Sequence, residues 1–218
     1  MAHAAAAVLR QKPRLRGVSH FIAFCVSVFA GAALILLSPP SGVRTGAMVY
    51  AASLTALLGI SAMYHRPFWP AHIRRWFRHV DHGAIFTLIA GTSTPVAMSL
   101  PSPAKEQFLT VVWVGAAIGV LRAVFWINAP RWLVVVLAIG VGWAALPYVP
   151  VAYSTIGPVN VALIAIGGVI YSGGAVIYGL KRPNPLPGIF GYHEVFHAMV
   201  IIAALCHFIC VARLTAVA

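Results

Sequence analysis

Apolar residues in this chain fall into long runs, and short segments rich in Pro, Arg and Lys separate them. A run of about 20 apolar residues is what an α-helix needs to cross the hydrocarbon of a bilayer. Divided at its punctuation, the sequence predicts seven such helices, at about 17–37, 45–65, 82–100, 107–126, 132–149, 158–180 and 193–213. The fifth is short, and Pro147 and Pro150 can end it early; without it the count falls to six. The fold class expected is an all-α membrane protein, with residues 1–16 as a basic segment and 17–218 as a single transmembrane domain.

Composition narrows the class. The 218 residues are 61% hydrophobic and 8% charged, against about 25% charged in soluble domains, which excludes a water-soluble globule. The net charge of +12 would fit nucleic acid only if the basic residues shared one solvated face. They occur instead in short clusters between apolar runs, and such clusters orient membrane proteins, because cytoplasmic loops collect Lys and Arg. With the N-terminus inside, 12 of the 15 basic residues fall on the inner segments, leaving Arg44, Lys105 and Arg213 outside. The expectation is a cytoplasmic N-terminus, an outward C-terminus and membrane lipids as partners.

The first apolar run follows Arg10, Lys12, Arg14 and Arg16, as in a secretory signal. It is longer than a signal core and leads into Ser-Pro-Pro-Ser-Gly, so it is expected to be retained. Cys25, Cys206 and Cys210 lie within apolar runs and cannot form an even disulfide framework. The segment from Arg66 to Val80 mixes Trp69, Trp76 and Phe77 with Arg74, Arg75 and Arg78. It is expected to lie on the inner headgroup surface, where aromatic rings and arginines are both at home; an ordinary basic loop is the alternative.

Ionisable groups at membrane depth are expensive and tend to be functional. The acidic residues are Asp81, Glu106 and Glu194. Glu106, beside Lys105 at a helix start, takes no role. His65 ends the second predicted span, Asp81 opens the third, and His193, Glu194 and His197 open the seventh, all at the inner level. His193 and His197 are four apart, so a helix projects both from one face and they can bind one metal ion. His65 adds a third imidazole. Three neutral nitrogens suit zinc, and three protein ligands leave a fourth position for water, the form of a catalytic site. Ser61 stands one turn from His65. Each residue has an ordinary alternative, such as a helix-interface His, an N-cap for Asp81 or a first-turn carboxylate for Glu194. His3, His20, His72, His79, His82 and His207 are left with that ordinary reading.

His-Glu-Val-Phe-His also fits the metalloprotease pattern H-E-x-x-H. Membrane proteases with that pattern take a later carboxylate as third ligand, and no acidic residue follows Glu194.

Together, Ser-Ala-Met-Tyr-His (61–65), Asp-His-Gly (81–83) and Gly-Tyr-His-Glu-Val-Phe-His (191–197) resemble the haemolysin III proteins, the bacterial branch of the progestin and adiponectin receptor family. The likeness covers essentially the whole chain, including Pro-Asn-Pro-Leu-Pro-Gly before the last span. It implies zinc held by His65, His193 and His197, a water on the metal hydrogen-bonded to Asp81, and Ser61 beside the site. The wider superfamily includes alkaline ceramidases, which implies hydrolysis of a lipid amide with Asp81 taking the proton of the attacking water. Two alternatives stand: a sensor in which zinc only staples helices, and a pore-forming haemolysin. The pore ranks last, since spans four to six carry almost no ionisable residue.

Overall fold

The computed structural model describes residues 12–216, so Arg10 and the outward placement of Ala218 lie outside the described residues. Among those residues the regular structure is all helical: α1 Val18–Leu37, α2 Gly42–His65, α3 Ala71–Met98, α4 Ala104–Phe125, α5 Arg131–Gly142, a 3-10 turn Trp143–Tyr148, α6 Val149–Leu180 and α7 Tyr192–Ala216. The punctuation seen in the sequence sets the starts. Ser41 accepts the Arg44 amide at 3.1 Å and opens α2, while Pro70, Pro103 and Pro130 stand just before α3, α4 and α5, where a missing N–H costs nothing.

Two segments differ from the sequence expectation. Helix α3 begins at Ala71, not near 82, so the basic segment before Asp81 is an extension of that helix rather than a separate surface element. Nothing between Pro70 and Asp81 breaks a helix, and arginines favour one. Asp81 is therefore well inside α3 and does not cap it. The second difference lies between the fifth and sixth expected spans, where no loop forms. Helix α5 passes through the 3-10 turn straight into α6, which bends at Gly157 (φ 79°) before Pro158. That left-handed backbone is one that glycine adopts without a Cβ penalty.

Five helical stretches are long and apolar enough to cross a membrane: Val18–Leu37, Gly42–His65, Ala104–Phe125, the 50-residue run Arg131–Leu180, and Tyr192–Ala216. Large apolar side chains such as Phe29, Leu37 and Val169 stay exposed on the outer faces, which is costly in water and favourable in hydrocarbon. The protein is an integral membrane protein.

Two apolar cores hold the helices together. One joins α1, α2, α3 and α7 through Leu34, Tyr50, Leu58, Leu88 and Val200. The other joins α3, α4, α6 and α7 through Phe86, Val112, Ala152 and Leu214. Without a hydrophobic drive between helices in lipid, close backbone approach supplies the packing. At Gly46 a Cβ would come within 2.6 Å of the Pro95 Cα, so α2 can sit against the proline of α3 only with glycine there.

Candidate metal centre

The C-terminal end of α2, the first third of α3 and the N-terminal turns of α7 meet at one end of the bundle. His65 is the last residue of α2, Asp81 lies on α3, and His193 and His197 occupy consecutive turns of α7. The ligand nitrogens of His65, His193 and His197 all lie within 4.8 Å of one another. His65 Nε2 and His193 Nε2 are 3.1 Å apart, and the three ring centroids are separated by 4.5 to 5.1 Å. His65 and His197 are buried and His193 is partly buried. Their ligand atoms are close enough to reach one ion, so the group could hold a metal ion.

Asp81 stands at the edge of this cluster, its Oδ2 3.8 Å from His65 Nε2. Buried Ser61, one helical turn before His65, places its hydroxyl beside the Asp81 carboxylate. All five residues expected from the sequence are thus brought to one place.

The local fold explains why they stay there. Glu194 Oε2 accepts the Gly191 amide at 2.8 Å and Asn184 Oδ1 accepts the Tyr192 amide at 2.9 Å. These bonds satisfy donors at the start of α7 that no helical carbonyl can reach. The other oxygen of Glu194 pairs with Arg16, from the segment leading into α1. That segment also bonds through the Arg14 and Leu15 amides to the Gly188 and Ile189 carbonyls, at 3.0 and 3.2 Å, in the turn before α7. Lys12 donates to the His65 and Pro67 carbonyls at 3.3 and 2.8 Å. Burial, with Arg74 and Arg16 nearby, pushes its ammonium below the usual lysine range. Gly17 (φ 74°) sits directly over His65, where a Cβ would approach the His65 Cβ to 2.9 Å. The N-terminal arm therefore covers the site.

Several participants were not legible in the sequence. His20 of α1 is buried and lies flat on His197, with ring centroids 3.8 Å apart and planes 6° off parallel. Neither of its ring nitrogens has a hydrogen-bond partner among the described residues. Glu194 is a first-turn carboxylate of α7, as expected, and is in addition buried and paired with Arg16. Arg122 is buried in α4 against the Phe86 ring at 5.9 Å, and none of its guanidinium nitrogens has a hydrogen-bond partner among the described residues. The one sequence signal for Arg122 was a charge inside a predicted span.

Comparisons with known proteins place the chain in a family. The chain is 27% identical over 198 residues to Hemolysin-3 of Bacillus cereus, covering 89% of this chain and 87% of that protein. It is 29% identical over 133 residues to a Hemolysin-3 homolog of Bacillus subtilis, covering 61% and 60%. A shorter match, 49% over 49 residues, is to the ADIPOR-like receptor IZH2 of Saccharomyces cerevisiae and covers 20% and 16%; it is consistent with the wider progestin and adiponectin receptor family. Because the family profile described as "Haemolysin-III related" spans residues 8–208, nearly the whole chain and every residue of the centre, the protein belongs to the haemolysin III family.

Proposed function

We propose that the protein is a zinc-dependent lipid hydrolase of the bacterial cytoplasmic membrane, crossing the bilayer seven times with its N-terminus inside and its C-terminus outside. The observation that carries the reading is a carboxylate, Asp81 Oδ2, 3.8 Å from an imidazole nitrogen of a three-histidine cluster. A purely structural metal site needs no such base. Seven crossings require that α3 also spans and that the Arg131–Leu180 run crosses twice: at 1.5 Å per residue that run would extend about 75 Å, more than twice the roughly 30 Å of hydrocarbon, and it bends at its 3-10 turn and at Gly157. The basic residues Arg66, Arg74, Arg75 and Arg78 lie at the same end as the centre, which supports placing it at the cytoplasmic face.

The donor set fits zinc, since imidazole suits it and His65, His193 and His197 leave room for a further ligand. Held there, zinc would supply a Lewis acid for a carbonyl oxygen. The chain's own groups do the rest. Asp81 Oδ2 orients the attacking water and accepts its proton. The Ser61 hydroxyl donates to the Asp81 carboxylate and fixes its rotamer. The arm from Lys12 to Gly17 closes the polar end of the site against bulk water, so that a substrate reaches it from the lipid side. A long-chain amide of the ceramide class suits such an entrance.

Asp81→Asn keeps the shape and removes the base. It should retain zinc and lower fatty-acid release from an N-acyl lipid by about 10²–10⁴-fold, with Ser61→Ala giving a smaller loss. Wild-type protein carrying full zinc that releases no fatty acid from a panel of lipid amides and esters would sink the hydrolase reading and leave zinc as a staple between α2 and α7, the reading that the receptor-named yeast relative favours. The haemolysin names of the Bacillus relatives favour a pore, but the described residues of α5 and α6 beyond Arg131 carry no Asp, Glu, Lys, Arg or His to line one.

A further inference from the structure

On the flank of the bundle, away from the metal centre, α2, α3 and α4 leave a lateral groove of about 690 Å³. That volume lies within the roughly 300–1,000 Å³ of small-molecule sites. None of His65, Asp81, His193 or His197 lines it.

The groove is two-sided in chemistry. One stripe of α3 forms its floor, because lining positions recur at spacings of three and four. At the start of the helix the stripe carries His72, Arg75, Trp76 and His79. Further along, the lining is mostly apolar, with Val80 and Ala84 from α3, Ile60 from α2, and Val120 and Val124 from α4, apart from the hydroxyls of Ser53 and Thr87. From His72 to Thr87, the last lining residue of α3, the stripe spans about 22 Å at 1.5 Å per residue.

The basic end is not consumed by internal bonds. Arg78 is tied at 3.2 Å to both Asn128 Oδ1 and the Ile127 carbonyl, whereas Arg75 is exposed and has no hydrogen-bond or ion-pair partner among the described residues. Trp76 is 72% exposed beside it, and an indole at this level belongs to the headgroup zone of a bilayer. His79 is fixed through Nδ1, which donates to the Ala123 carbonyl at 2.8 Å and holds α3 to α4 below the groove.

We infer that the groove is a binding site for one phospholipid with an anionic headgroup, its phosphate at Arg75 and Trp76 and one acyl chain along the apolar stripe. Charge complementarity selects the occupant: an acyl chain alone would need no guanidinium, and a soluble phosphate would need no apolar trough. The site is separate from the proposed hydrolytic centre and does not depend on it.

Native mass spectrometry of the purified full chain, released from detergent after titration with phosphatidylglycerol or phosphatidylcholine of identical acyl chains, reads the retained lipid directly. One phosphatidylglycerol should be retained in preference to phosphatidylcholine. Arg75→Gln should weaken that retention about fivefold, as expected for one basic residue at an anionic surface, while Arg74→Gln, a neighbour outside the groove, leaves it unchanged. Ala56→Phe, at an exposed α2 position lining the trough, should lower retention of both lipids. Equal retention of the two lipids, or an equal loss with Arg74→Gln, overturns the proposal. So does retention of a second protein chain in place of lipid that Ala56→Phe disperses.

Discussion

The two ends of α7 solve the same electrostatic problem differently. At its N-terminus, Glu194 is favoured by the positive end of the helix dipole, and at its C-terminus Arg213 is favoured by the negative end. Glu194 is 2% exposed and is paired with Arg16, which lies 178 positions away in sequence. Arg213 is exposed and bonds Asn160 Oδ1 of α6 at 3.0 Å, across 53 positions. The first end joins segments from four parts of the chain around three histidines. The second is a single clamp between adjacent helices. Polar residues in the membrane therefore do two jobs here: at the histidine end they gather a candidate metal centre, and at the far end they only pin a helix pair.

The largest contrast between the ends concerns the metal. Wild-type protein should carry about one zinc per chain by elemental analysis, and His65→Ala, His193→Ala or His197→Ala should each remove most of it. Chelation should lower the melting temperature, because a ligand present at about a thousand times its Kd stabilises by roughly 4 kcal/mol. Wild-type protein found free of metal would erase the distinction between the two ends. Next in size is the buried pair. Arg16→Met strands a buried carboxylate and should cost about 3–5 kcal/mol, read as a fall in melting temperature; adding Glu194→Gln should recover part of it. If the double variant is as unstable as the single, Glu194 is not stabilised by Arg16. Smallest is the far end, where Arg213→Met should cost about 1 kcal/mol and leave zinc untouched. A loss of zinc there would show that the two ends communicate through α7.

Much of this arrangement could be read from sequence because the bilayer imposes a strong constraint: every span must be a long apolar helix, and each polar exception stands out. His65, Asp81, His193 and His197 were such exceptions at predicted span ends, and the structure brings them together. Ser61 was found through its one-turn spacing from His65. The sequence does not show where α3 starts, because the basic, aromatic segment before Asp81 fits a headgroup-surface element as well as a helix, and arginine is a good helix former. The stacking of His20 on His197 was invisible because it depends on how α1 leans over α7, and no periodicity within α1 reports that. Glu194 was recognised as a helix-start carboxylate, but its partner lies at the opposite end of the chain, beyond the reach of any local pattern.

The N-terminal arm has a further consequence, for the order in which the protein is made. Lys12 bonds the His65 carbonyl and Arg16 bonds Glu194, so the first described residues and the last helix enclose the same centre. During synthesis α1 and α2 enter the membrane with one histidine of the triad, and the other two arrive only with α7. The centre is thus closed only once α7 has been made. A chain arrested before Gly191 should insert its early helices yet retain no metal, so that any ion held by the three histidines would arrive only after α7 has been made.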